Sequence, residues 1–291
     1  MGTASPPGRS DSEGAAKCRE PFRAWLVGGL EWRIRNLKDR IHQRTRLLIK
    51  ATHKRWLLFR HGKVIESGGA RIVVDSPLVT PLHVQHLLSG RYELAEMEMT
   101  RRFIDPSLPT IELGGSIGVL ATLANRLLDH PENHVVVEAN PLVAPILRKN
   151  RDLNGGKFEI VEAAVAYGSP TIKFTIGRDC MTGSTKYDGA RVVEVPTTTL
   201  RQLIDSRGFG MVNLIVDIEG AEFDLARHEL DALKNHVKVF IVETHEYLLK
   251  DGSTGRMLQS LESAGFRIAQ SNQSGASVFT LVNDALRPAS V

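Results

Sequence analysis

The sequence predicts an α/β protein with an open, mostly parallel sheet and helices on both of its faces. Three observations predict it. From Ile111 onward, apolar runs of strand length alternate with helical patterns, as expected for a sheet buried on both sides. The run 110–113 enters a glycine-rich turn, Gly114-Gly115-Ser116-Ile117-Gly118, and the run 134–137 ends on an acid, Glu138. The last two runs, FRIAQSN and ASVFTLVN, are joined by a short polar turn and read as an antiparallel edge.

The chain divides into three parts. Residues 1–20 are small and polar, without the apolar centre of a secretory signal, and read as a disordered tail. Residues 21–91 read as a basic helix followed by a small β extension. Leu30, Ile34, Leu37, Ile41 and Leu48 fall on one helical face, and the pattern continues to about Leu58. WLLFRHGKVIESGGARIVVDSP then reads as short strands, with turns near His61-Gly62 and Gly68-Gly69. Residues 92–291 read as the main domain. A helix over about 92–103 is closed by Pro106 and Pro109. Strand TIEL leads to a helix through Leu128, and HVVVE leads to a helix over about 142–153, closed by Asn154-Gly155-Gly156. KFEIVEAAV reads as the third strand. TIKFTI and RVVEVP read as a hairpin around residues 177–189. Helices near 200–206 and after Ala221 flank the strand VNLIVD; VKVFIVETH and a helix over 254–264 complete the alternation.

Bulk composition, 42% hydrophobic and 24% charged, is that of a soluble globular chain. No apolar run reaches the roughly 18 residues that span a bilayer. Cys18 and Cys180 have no close cysteine neighbour, which argues against a disulfide framework and fits a reducing, cytoplasmic setting. Residues 21–62 hold eleven Lys or Arg against Glu31 and Asp39, a net +9, whereas the whole chain is +4. The remainder is therefore mildly acidic. The basic segment 30–50 has three open readings: a cap packed on the main domain, a peripheral contact with an anionic membrane, or a phosphate-binding arm. No aromatic-interleaved motif accompanies the charge, so nucleic acid is not expected as a partner.

In a parallel open sheet, ligands bind beyond the carboxyl ends of the strands, where the strand order reverses. Gly114 and Gly115 permit close backbone approach there, and Gly118 completes the turn. Ser116 is placed to cap the following helix. Glu138 and Asn140 are placed to hold ribose hydroxyls. The spacing G-G-x-x-G departs from the dinucleotide fingerprint G-x-G-x-x-G, and no phosphate-binding loop is present. An adenosine ligand without a pyrophosphate fits this description, and S-adenosylmethionine (SAM) is one. Glu112 would suit the ammonium of its methionine part.

IELGGSIG, VEANP, AAVA at 163–166 and above all VDIEGAE at 216–222 resemble the FkbM-type methyltransferases over about residues 92–283. The resemblance implies a class I SAM-dependent methyltransferase fold, Rossmann-like, with a seven-stranded sheet whose last strand is antiparallel. It brings Ala164 into the cofactor set. It also implies methylation of a hydroxyl oxygen on a sugar, glycolipid or secondary metabolite, so the expected partner is a small-molecule, glycan or lipid-linked acceptor.

Asp217 ends the strand NLIVD, and alternation points Asp217 and Glu219 to one side. Methyl transfer to oxygen needs a base for the acceptor proton. Asp217 is the first candidate, His245 the second, and Glu219 accompanies them. Glu222 reads equally as a helix-start acid or a functional one. No metal is expected, although Asp217, Glu219, Glu222 and His245 include enough donors for a divalent cation. Two alternatives stay open: an NAD-dependent oxidoreductase on a similar sheet, and a non-catalytic scaffold with the methyltransferase fold.

Overall fold

The computed structural model describes residues 45, 48–177, 179–180, 183–184, 191–246, 252–272 and 277–286. The chain forms two compact units, Met1–Arg55 and Trp56–Val291. In the first unit the described residues are helical, and the Thr52 hydroxyl donates to the carbonyls of Leu48 and Ile49. The expected tail, 1–20, and most of the basic segment 30–50 lie outside the described residues. Among the described residues no helix is long and apolar enough to cross a membrane.

The second unit opens with helical residues 56–61, so the expected helix to about Leu58 runs on through residues where short strand had been expected. Leu57 is buried there, and the Gly62 N–H donates to the Leu58 carbonyl to close the helix at positive φ. Strands β1 (Val64–Ser67) and β2 (Ala70–Val73) then pair antiparallel across Gly68-Gly69. Helix α1 (Pro81–Ser89), which the sequence reading did not anticipate, starts on a Thr80 capping box with Pro81 in its first turn and stops at a left-handed Gly90. Helix α2 spans Leu94–Phe103.

The alternating part follows: β3 (Thr110–Leu113), α3 (Val119–Leu127), β4 (His134–Val137), α4 (Ala144–Leu153) and β5 (Glu159–Val161). The expected third strand divides here, because β6 (Ala164–Val165) leaves the main sheet. It joins β7 (Thr171–Ile176), β8 (Gly183–Ser184) and β9 (Val192–Thr198) in a smaller sheet of order β6-β9-β7-β8. Strands β7 and β9 form the expected antiparallel hairpin. Next come α5 (Leu200–Asp205), β10 (Val212–Val216), α6 (Glu222–His228), α7 (Leu230–His236), β11 (Val237–Thr244), α8 (Ser253–Ser263), β12 (Phe266–Asn272) and β13 (Ser277–Asn283).

Among the described residues the main sheet has seven strands in the order β12-β13-β11-β10-β3-β4-β5. Strand β13 runs antiparallel to both β11 and β12, and the other pairings are parallel. This is the expected α/β fold with an antiparallel last strand. Chain order reverses between β3 and β10, so their carboxyl ends open a crevice. Leu113 and Val216 bury against one helical layer, and Ile215 and Ile241 against the other. Burial on both faces explains why these strands read as continuous apolar runs rather than alternating ones.

Candidate active site

The crevice holds a cavity of about 420 Å³. On one side stands the glycine turn. The amides of Gly114 and Gly115 both donate to the Val137 carbonyl, at 2.9 and 3.0 Å. Gly114 sits at φ +96°, and a Cβ there would fall 1.8 Å from the Asp217 carbonyl oxygen. No side chain fits at that point, because the turn passes directly over the tip of β10. Gly115 is closed from behind, where a Cβ would meet Val136 at 2.4 Å.

Glu138 organises this side. Its carboxylate accepts from the amides of Ser116 at 2.8 Å and Asn140 at 2.7 Å, so one side chain ties the glycine turn to the end of β4. Burial pushes its pKa up to about 7, against the opposing effect of the two amide hydrogen bonds. A carboxylate has about four acceptor positions, so two amides do not exhaust Glu138. Asn140 is buried, and its side-chain oxygen accepts from the Leu142 amide at 3.0 Å. Gly114, Ser116, Glu138, Asn140 and Ala164 all line the cavity.

Three expected cofactor residues do not. Gly115 and Gly118 lie behind the wall, packed against Val136 and Leu147. Glu112 is 1% exposed, and its carboxylate lies 3.5 Å from His134 Nε2 inside the sheet layer. Burial raises its pKa while His134 opposes the rise. Glu112 lies inside β3, one residue before its last, so its side chain meets the neighbouring strand instead of the crevice. Ser116 is also not a helix cap. Gly118 takes the cap position without a side-chain bond. The Ser116 hydroxyl instead donates to the Cys180 carbonyl at 3.2 Å and lies 3.4 Å from the Tyr92 hydroxyl.

The opposite side is built from charge. Asp217, Glu219 and His245 all line the cavity, as does Glu243 near the end of β11, which was not among the expected site residues. Glu219 at φ +51° and Gly220 at φ +98° turn the chain sharply out of β10. The His245 Nε2 then faces Asp217 at 3.6 Å, Glu219 at 3.7 Å and Glu243 at 3.7 Å. Its Nδ1 lies 3.3 Å from Glu222.

The titrating groups respond to this crowding. Burial raises Asp217 to about 7, His245 pulling it down and Glu219 pushing it up. Burial also raises Glu243, to about 10, helped by the charges of Asp217 and Glu96 and by a hydrogen bond with Glu96. For His245 burial disfavours the charged ring, but the Glu222 hydrogen bond and the charges of Asp217, Glu222 and Glu219 prevail and lift it to about 9. Asp217, Glu243 and His245 each bring one donor atom within 4.8 Å of the others, a spacing that also suits a divalent cation.

A third wall comes from α1, which contributes Leu82, His83 and His86, and from Glu93, just ahead of α2. Cys180 closes it: its thiol lies 3.4 Å from His83 Nδ1, its amide donates to the Leu78 carbonyl, and burial pushes the thiol up to about 12. That value makes it a poor nucleophile. Among the described lining residues there are six acidic side chains and no Lys or Arg.

Comparison with known proteins bears on this arrangement. Residues 112–268, more than half of the chain, match the family model described as the methyltransferase FkbM domain. No curated protein sequence matches. Among solved structures, the chain is similar to a ribosomal protein L11 methylase from Lactobacillus delbrueckii subsp. bulgaricus. That match has 15% identity over 67% of this chain and 79% of that one, with a TM-score of 0.42. It is also similar to a precorrin-6y C5,15-methyltransferase from Geobacter metallireducens, with 13% identity over 66% and 88% of the two chains and a TM-score of 0.40. Similarity that distant carries no argument about chemistry. The family match does, and its two ends bracket both sides of the cavity: the chain belongs to the FkbM methyltransferase-domain family.

Proposed function

We propose that this protein is a SAM-dependent methyltransferase acting on a hydroxyl oxygen of a small-molecule, glycan or lipid-linked acceptor. One observation supports the reading above the others: a single cavity joins the backbone cradle of Gly114 and Glu138 to the acidic tip at Asp217. The lining suits this cofactor. A cationic sulfonium is favoured beside carboxylates, whereas the pyrophosphate of a dinucleotide would meet six acids and no described Lys or Arg. That contrast weighs against the oxidoreductase alternative.

Glu138 and Asn140 would hold the ribose, Gly114 and Ser116 would let the ligand approach the backbone, and Ala164 would flank the base. Bound there, the cofactor supplies an electrophilic methyl group. Asp217 accepts the acceptor's hydroxyl proton, because a base titrating near 7 is half deprotonated at neutral pH. His245, held near 9, keeps its own proton and acts as a hydrogen-bond donor to the carboxylates rather than as the base. The α1 wall, with His83 and His86, faces the acceptor.

Methyl-tritiated SAM and a panel of hydroxylated sugars, glycolipids and phenols test the proposal. Label is expected on oxygen with the wild type and not with Asp217→Asn. Label on nitrogen or carbon would refute O-methylation. SAM binding without transfer to anything in crude extracts would favour the scaffold reading.

A further inference from the structure

Glu222 is 0% exposed and lines no part of the cavity, yet its carboxylate is engaged on both oxygens. An acid in the first turn of a helix ordinarily faces water and gains from the helix dipole. Glu222 turns inward instead. One oxygen accepts from the Gly220 amide at 2.8 Å. The other accepts from the His245 amide at 2.7 Å and lies 3.3 Å from His245 Nδ1. A buried carboxylate is costly unless hydrogen bonds satisfy it, and these three contacts do so. A turn at Gly220 needs only the first. The other two reach across to the next strand and take hold of one residue, by its backbone and by its ring.

We propose that Glu222 is a positioning residue. It ties the Gly220 turn to the end of β11 and fixes the His245 imidazole with Nδ1 toward itself and Nε2 toward Asp217, Glu219 and Glu243. It thereby sets the acceptor end of the site through His245, without touching a reactant. This is the arrangement in which an imidazole is oriented by a third group behind it. Remove that acceptor and the ring gains a second orientation, in which Nε2 no longer meets the three carboxylates. The inference rests on the reading that this cavity runs methyl transfer.

Ring nitrogen spectra of protein labelled with ¹⁵N-histidine test it, with His245→Gln used for assignment. The wild type is expected to show a protected Nδ1–H for His245. In Glu222→Gln, which keeps shape but removes the charge, that proton is expected to exchange faster by about tenfold or more, as befits loss of a charge-assisted hydrogen bond. SAM affinity is expected to stay within about twofold, because Glu222 does not line the cavity. Against an identified acceptor, kcat should fall with KM unchanged. Identical His245 ring signals in both proteins would overturn the proposal, and so would a lowered melting temperature with kcat unmoved. Should the variant not fold, the wild type alone decides: a His245 ring without a protected Nδ1–H overturns it, and one with it supports it. Failure of the wild type to bind SAM would instead count against the methyltransferase reading and leave the ring measurement standing.

Discussion

The two rims of the cavity are held by different physics. At the Gly114 rim, geometry comes from the backbone: two amides share the Val137 carbonyl, and Glu138 gathers two more. At the Asp217 rim, geometry comes from titrating groups: three acids converge on one imidazole that a fourth holds from behind. A backbone cradle is rigid and broken by added volume, and its one titrating member is Glu138. A charge cluster tolerates changes in shape and responds to protons and ions. Cofactor binding and turnover should therefore fail under different perturbations.

The largest separation is expected from Asp217→Asn. Turnover should drop by about 10²–10⁴-fold, the usual weight of a general base, with SAM affinity nearly unchanged by calorimetry. Near-normal turnover would remove Asp217 from that role. Gly114→Ala should do the reverse. Its methyl would overlap the Asp217 carbonyl at a positive φ, so about 3 kcal/mol of stability should be lost, along with SAM binding. Thermal unfolding and calorimetry check both.

The pH dependence sharpens the contrast. Turnover should rise as pH passes about 7, when Asp217 releases its proton. It should fall above about 9, when His245 loses the proton that makes it a donor. SAM binding should follow Glu138, whose raised pKa marks a group that holds its proton more tightly when folded. The stability it contributes is greatest below the usual carboxylate range and declines as pH rises to about 7. The smallest effect is expected from exhaustive chelation, which should leave turnover intact. Loss of activity restored by a divalent cation would recast Asp217, Glu243 and His245 as its holders.

The strand-and-turn grammar was readable because each apolar run ends at a residue with a physical reason to stop it, such as Gly114, Glu138 or Gly220. Helix α1 is marked in the sequence by Thr80-Pro81 and Gly90, but the nine residues between those caps are too few for a clear apolar period. Other features depend on neighbours that one strand cannot show. Glu112 shares a strand face with Gly114, yet it pairs with His134 from β4 and never reaches the rim. Glu243 carries no mark within its own strand, and the parallel pairing of β10 and β11 is what sets it opposite Asp217. The break between β5 and β6 follows from pairing with β9, far along the chain.

Calorimetric titration of SAM into the wild type and Glu138→Gln bears most directly on the cavity as a cofactor site. Saturable one-site binding to the wild type is expected, weakened by about tenfold or more in the variant, the worth of one charge-assisted hydrogen bond. Absence of binding to the wild type, or equal affinity in both proteins, would contradict it.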